Sequence, residues 1–310
     1  MNRTAFIELA KGNFDTGLKI LEQDSDWQDS LNDLEGPFKL EFPGVSGWGE
    51  GLMLASLLKR YAANQKRIRV FAPNQQLRAI LEQDQDSFEV LQSEDSQLRT
   101  PLAILKEALT GNLLEKRFIP LCLTVQQNEP TRSRPRIGIA WSSVNKRNEC
   151  ILEKTVLLDR FLGIIEGIDA DFISFQRKAS LADNKFSAKF QQHRISADLH
   201  ETSDKDDTES IKKICEAIRQ LDCMLTISTT TAHIAASLEI PVVLLAMERD
   251  DGHQWFWQAQ ANHQRCIYPT VQHIHLGEGE KDDWWKNCLQ PATESLKGIL
   301  ESTNRLANRT

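Results

Sequence analysis

The sequence predicts an α/β protein built as two Rossmann-like domains with a cleft between them and a short helical extension at the N-terminus. Three observations predict this. Short apolar runs alternate with amphipathic stretches, the pattern of parallel strands joined by crossover helices. The alternation occurs twice, on either side of a polar stretch with two prolines, QQNEPTRSRPR at 126–136. The length, 310 residues, suits two domains that each bury a core. The expected division is 1–130 and 131–310, with the last helix packing back toward the first domain.

The elements follow in order. Residues 4–22 read as a helical hairpin: Phe6, Leu9 and Ala10 form one apolar stripe, Gly12 and Asn13 break it, and Phe14, Leu18 and Leu21 form a second. FKLEF at 38–42 alternates as a strand does. A turn with four glycines follows, at 43–51, and then LMLASLLKRYA reads as an amphipathic helix. Glycines in such a turn let backbone approach a ligand closely. The turn does not match the GxGxxG fingerprint. Glu50 stands at the helix start, where its charge suits the dipole. RIRVFAP at 67–73 and FEVL at 88–91 read as strands, Gln75–Leu81 and Leu102–Leu109 as helices. FIPLCLTV at 118–125 reads as an edge strand because of its proline.

The second half opens with a buried strand, IGIAW at 137–141, and a polar loop, SSVNKRNE. Asp159–Gly167 reads as a helix and Asp171–Phe175 as a strand that ends in Gln176. Ile211, Ile214, Cys215, Ile218 and Leu221 share one helical face. GHQWFWQ at 252–258 reads as an aromatic loop, and 282–300 as a closing helix with Trp285, Cys288, Leu289, Ala292, Leu296 and Ile299 on one face.

TISTTTAHIAASLEIPVVLL at 226–245 organises this half. It reads as strand, polar turn, short helix and a strand buried on both faces. The hydroxyls of 228–231 suit an N-cap, with Thr230 as the expected cap. The first turn of a helix offers free N–H groups and a positive dipole end to an anion. A turn of this kind is equally a plain capped helix start, and His233 taken alone reads as a packed or capping histidine.

Net charge is −7 and the pI about 5.6, against nucleic acid as a partner. The acidic tract SDKDDTE at 203–209 reads as a solvated helix cap. Six cysteines carry no CxxC pairing and read as buried thiols. His273 and His275 alternate on a predicted strand and read as flanking solvent rather than holding a metal. The N-terminal MNRTAFIELAKGNF has no apolar core of a signal peptide, and no run of about 18 apolar residues marks a membrane span. A cytoplasmic, soluble protein is expected.

The order of these segments resembles the GT-B glycosyltransferases of the bacterial heptosyltransferase type, especially those found C-terminal to tetratricopeptide repeats. IGIAWSS at 137–143 is similar to the strand and loop that open that family's last domain. KTVLLDRF, SFQ at 174–176 and DKDDTESIKK at 204–213 follow in the family's order. STTTAHIAASLEIPVVLL at 228–245 is the strongest match, and QWFWQ and CIYPTV follow it. In the first half GWGE at 47–50 stands where the family has a GLGD-like turn, and NFDTGLKILE at 13–22 resembles the end of a last repeat.

The resemblance implies a nucleotide-sugar donor held by the C-terminal domain and an unknown glycan, lipid or protein acceptor on the N-terminal side. It places Ser142 and Ser143, with Lys146 or Lys154, at the diphosphate. Thr229, Thr230 and Thr231 would hold it at the helix start, with Gln176, Ser228 and His233 completing the donor set. Glu50 stands in the place of a general base. The implied transfer is inverting, with no metal and no cofactor beyond the sugar nucleotide. Two departures stand out: the family's Asp is Ser228 here, and its GLGD acid is Glu50. They leave open a catalytically degenerate GT-B-fold binding or scaffold protein. A further alternative is another two-domain enzyme of nucleotide sugars, such as an epimerase.

Overall fold

The computed structural model describes residues 3–24, 27, 37–41, 48–62, 67–93, 98–122, 132–143, 155–177, 186–199, 202, 207–246, 254–263, 266–275 and 281–307. The chain forms two units. One comprises residues 1–124 and 249–269, the other 125–248 and 270–310. Most of the predicted linker, 126–131, lies outside the described residues.

The N-terminal unit opens with the predicted helical hairpin, α1 (Arg3–Ala10) and α2 (Phe14–Gln23). Gly12 turns it with φ +81°, and a Cβ there would lie 2.5 Å from the His263 ring. Both constraints favour glycine. A three-stranded parallel sheet follows, β1 (Phe38–Lys39), β2 (Ile68–Phe71) and β3 (Phe88–Val90), in that spatial order. Helices α3 (Gly49–Tyr61), α4 (Gln75–Leu81) and α5 (Leu102–Leu109) connect and follow the strands. Asn74 caps α4 by accepting the Leu77 N–H at 2.9 Å. Among residues 118–122, expected in a fourth strand, none pairs with the sheet. Pro120 has no N–H to offer a ladder. Phe118 and Leu121 are buried side chains instead.

The C-terminal unit is built on β4 (Arg136–Ala140), α6 (Leu158–Ile165), β5 (Asp171–Ser174), α7 (Phe186–Gln192), β6 (Ile195–Ser196), α8 (Thr208–Arg219), β7 (Cys223–Ile227), α9 (Thr230–Ser237) and β8 (Val242–Ala246). The chain then enters the N-terminal unit as α10 (Trp255–His263) and returns as β9 (Val271–His275) and α11 (Lys281–Ala307). All six strands of this unit are parallel, in the order β6-β5-β4-β7-β8-β9. Alternate residues Ile137, Ile139, Cys223, Leu225, Ile227, Val243 and Leu245 face α6 and α11 and form one core with Phe161, Ile164, Ala292 and Leu296. Of the predicted face of the closing helix, Cys288, Leu289, Ala292, Leu296 and Ile299 pack on its own unit's sheet. Gly138 points to the other face, where a Cβ would meet Leu221 at 2.5 Å and Met224 at 2.6 Å. Asp207 caps α8, accepting from Ser210 N at 2.8 Å, as the acidic tract predicts.

The aromatic run at 255–257 corrects an expectation. It forms the start of α10, not a loop, and Trp255, Phe256 and Trp257 are all buried in the N-terminal unit. Trp255 stacks on Phe6 of α1 at 6.3 Å between ring centres. The first residues of α10, Trp255 to Ala259, are buried on every side and so show no amphipathic period.

Gly12 and Gly298 make a paired test of this fold. Gly12→Ala should lower the thermal midpoint, costing about 1 kcal/mol or more, because both its φ and the His263 ring oppose a side chain. Gly298 lies in the interior of α11, and a Cβ there would meet nothing within 4 Å. Gly298→Ala should raise the midpoint, by about 0.5–1 kcal/mol. Scanning calorimetry on both variants checks the signs.

Candidate functional site

The strand order of the C-terminal unit reverses between β4 and β7. The chain leaves β4 toward β5 on one side and leaves β7 toward β8 on the other. In open α/β sheets the crevice outside the carboxyl ends at such a point is where ligands bind. Ala140 and Thr226 are register partners, so Ser142 and Ser228 each stand two residues beyond the last pair. Parallel strands lie about 4.8 Å apart, which brings the two polar turns together. The sequence-predicted groups Ser142, Ser143 and 228–231 thus converge at one place. Lys146 and Lys154 lie outside the described residues.

After β4 the backbone is held by Gln176, which is 2% exposed. Its Oε1 accepts from Trp141 N at 3.1 Å and from Ser142 N at 2.9 Å. Its Nε2 donates to Ser142 O at 2.8 Å. The Ser142 hydroxyl shares a hydrogen bond with Thr155 Oγ1 at 3.2 Å. Gln176 is thereby committed to shaping the turn after β4.

After β7 the hydroxyls form a relay. Thr226 Oγ1 donates to Ile227 O at 3.0 Å and lies 3.2 Å from Thr229 Oγ1, which lies 2.8 Å from Thr231 Oγ1. A hydroxyl has one proton. With the Thr226 proton on Ile227 O, the relay runs Thr231 to Thr229 to Thr226. An anion that takes the Thr231 proton breaks only its outermost bond. The expected cap at Thr230 is corrected: Thr229 holds the N-cap position and makes no side-chain cap bond, its hydroxyl being turned into the relay. The positive end of α9 is therefore framed by hydroxyls, and Thr229 itself does not close it. His233 is buried, 3% exposed, within α9. Thr226 and Thr155 went unnoticed in the sequence. The signal for Thr226 was a lone hydroxyl inside the apolar run CMLTI.

Glu50 stands in the first turn of α3, half-buried, in the N-terminal unit. Tyr268 of the same unit is fully buried. Burial pushes its phenol well above the usual value, the Ser56 hydroxyl draws it back, and the Glu50 carboxylate raises it further.

The remaining titratable groups sort by burial. Cys215 and Cys223 are pushed up to about 12, first by burial, and Cys288 to about 11; all three stay protonated thiols. Cys122 is exposed, unlike the buried thiols expected. The reading of His273 and His275 as solvent-flanking is also corrected for His273. Both its ring nitrogens are buried without a hydrogen-bond partner. Burial, then the neighbouring His275, lowers it to about 3.

No family model matches the chain, and no curated protein matches it. A solved structure, the crystal structure of the glycosyl transferase family 9 from Veillonella parvula DSM 2008, is similar at 9% sequence identity and a TM-score of 0.40, over 81% of this chain and 78% of that one. Among the described residues no helix is long and apolar enough to cross a membrane.

Two outcomes follow from this geometry. Gln176→Ala removes three hydrogen bonds from buried main chain and should cost about 1–3 kcal/mol in thermal unfolding. Gln176→Glu keeps the two acceptor bonds but sets a buried carboxylate oxygen against Ser142 O, so near neutral pH it should cost at least as much. The second outcome is pH-dependent. His273 titrates at about 3 when folded and near 6.5 when unfolded, so below 6.5 the unfolded chain binds the extra proton. The stability that neutral His273 contributes is complete above about 6.5 and falls as pH drops toward 3, no more steeply than about 1.4 kcal/mol per pH unit. His273→Leu should remove this component from the acid limb of the wild-type profile.

Proposed function

We propose that the chain is a glycosyltransferase that moves a sugar from a nucleotide-sugar donor to a hydroxyl acceptor, with inversion and without a metal. The observation that carries this reading is the convergence of Ser142, Ser143 and the Thr226–Thr229–Thr231 relay at the strand-order reversal, beside the start of α9, where the N-cap residue Thr229 makes no side-chain cap bond. The motif order along the sequence supports it independently.

In this mechanism the diphosphate accepts hydrogen bonds from the first-turn N–H groups of α9 and from the Thr231 and Ser143 hydroxyls. The helix end contributes roughly half a positive charge. These groups stabilise the charge that grows on the leaving diphosphate as the glycosidic oxygen departs. Gln176 keeps the turn after β4 in the shape that presents Ser142 and Ser143. Glu50 takes the proton from the acceptor hydroxyl as that oxygen attacks the anomeric carbon. Ser228, where the family has an acid, adds no negative charge against the phosphates.

A panel of nucleotide sugars tests donor binding first. A donor at 100 times its Kd adds about 2.7 kcal/mol of stability, read as a raised thermal midpoint. Thr231→Glu sets a carboxylate at the start of α9 and should abolish that rise while leaving the unliganded midpoint near wild type. Glu50→Gln should retain donor binding and lose about 10²–10⁴-fold in transfer rate. Unchanged donor affinity in Thr231→Glu rejects the site. A full transfer rate in Glu50→Gln rejects the base. Wild-type protein that binds donor but transfers to no acceptor in a broad panel assigns the chain to the binding or scaffold class.

A further inference from the structure

Strand β9 is an edge of the six-stranded sheet, paired to β8 on one side. Its alternation sorts its residues between the two faces. Ile274 packs against the core that contains Cys288, Ala292 and Leu296 of α11, and Ser295 of α11 donates a short hydrogen bond to the Gln272 side chain. Gln272 and Ile274 therefore face α11. His273 and His275 face the other way, level with Leu244 and Ala246 of β8 in the register.

The two imidazoles lie 4.4 Å apart between ring centres, with their planes at 69°. His275 is exposed. His273 is not, and neither of its nitrogens has a hydrogen-bond partner although both are buried. Buried polar atoms are nearly always satisfied, and an orphaned one is commonly explained by an ion or a water.

We propose that His273 and His275 form a two-histidine chelate for a divalent transition-metal ion of the class that prefers imidazole: zinc, nickel or copper. The pair has the required dimensions. A metal–nitrogen bond of 2.0–2.1 Å places the ion about 3.2 Å from each ring centre, so two rings on one ion at angles between square and tetrahedral have centres about 4.5–5.2 Å apart. The observed 4.4 Å lies just below that range, so the two rings must turn and move slightly apart to share an ion. The i, i+2 spacing on a strand fixes both rings on one face without further constraint. The ion satisfies one of the two orphaned nitrogens of His273, and exposed His275 gives it a first ligand from solvent. Among the described residues no third His, Cys, Asp or Glu joins the pair, so water or a small ligand completes the shell. The site belongs to the edge strand, two strands from β7, and is independent of the proposed transfer reaction. Its effect is to tie two side chains of the edge strand together.

The test is calorimetric titration of the full, untagged, metal-stripped chain with zinc chloride, nickel chloride and copper chloride. Wild type should take up one ion per chain. Loss of an outer-shell partner alone weakens metal sites 10–100-fold, so loss of a ligand in His275→Ala should weaken uptake at least about tenfold. His275 is exposed, so that variant tests the site without disturbing the core. His273→Ala should do the same, with circular dichroism confirming its fold. His193→Ala and Cys122→Ser, which remove a histidine and an exposed thiol elsewhere, should bind as wild type does. Electron paramagnetic resonance of the copper-loaded wild type should show hyperfine coupling to two imidazole nitrogens. Absence of uptake at millimolar metal overturns the proposal. So does a His275→Ala protein that binds as tightly as wild type, which places the ion at another site.

Discussion

The parallel pairing of β4 with both of its neighbours is the constraint on which the C-terminal unit depends. Parallel strands cannot be joined by hairpins, so each connection crosses over through other structure. Those crossovers cover both faces, and the strands become apolar throughout: β7 and β8 are buried at every position. The same pairing sends all carboxyl ends to one edge of the sheet. There the main chain leaves the ladder, and its polar groups need other partners. Gln176 supplies three of them to Trp141 and Ser142. After β7 the Thr226 hydroxyl supplies one more, to Ile227 O, and links to Thr229 and Thr231. A turn held in this way takes its shape from bonds within the chain. That is the preorganisation an anion site needs if its donors are to stabilise charge at no reorganisation cost.

How much of this could be read from the sequence depended on whether burial leaves a periodic trace. Strands β4, β7 and β8 were legible because burial on both faces makes unbroken apolar runs such as CMLTI and VVLLA. Helix α8 was legible because only one face is buried, and Ile211, Ile214, Cys215 and Ile218 mark it. Helix α10 was not, since WFW is buried all round and has no period. The run at 118–121 was misread for the opposite reason: it is apolar enough for a strand, yet its side chains serve other packing. Phe118 carries the Arg60 guanidinium at 5.2 Å and meets the Tyr268 ring edge-on at 6.3 Å. Period-two spacing showed that His273 and His275 share a face, but not how deeply each one lies.

The candidate site was partly legible on the same terms. Hydroxyls and an amide at the ends of apolar runs stand out in any sequence; 228–231 read as a helix start from the residues alone, whereas Ser142, Ser143 and Gln176 became candidates through the family resemblance. Their partners did not stand out, because those partners are main-chain atoms or hydroxyls set by the register. Gln176 lies 34 residues from the serine whose backbone it holds. No local pattern links the two, and only the β4–β5 pairing brings them together.

The N-terminal unit raises a different question: why a helix interior carries two cations. Lys59 and Arg60 at the end of α3 are both buried. Lys59 meets Asp84 at 2.5 Å, and the same carboxylate accepts from Cys122 N at 2.9 Å. Among the described residues no carboxylate pairs with Arg60. It donates to the carbonyls of Cys266 and Ile267 at 3.3 and 3.2 Å. A buried charge without partners is costly, so removing either partner set would strand a cation. These bonds therefore select one position for residues 266–268 against α3, with Gln260 holding Tyr268 through two further 3.0 Å bonds to its main chain. The consequence reaches the first turn of that helix. Tyr268 is fixed beside α3 as a protonated phenol, and the Glu50 carboxylate lies within its field. The surroundings of the proposed base are thus set by a segment about two hundred residues further along the chain, and a fragment ending at 124 would carry Glu50 without them.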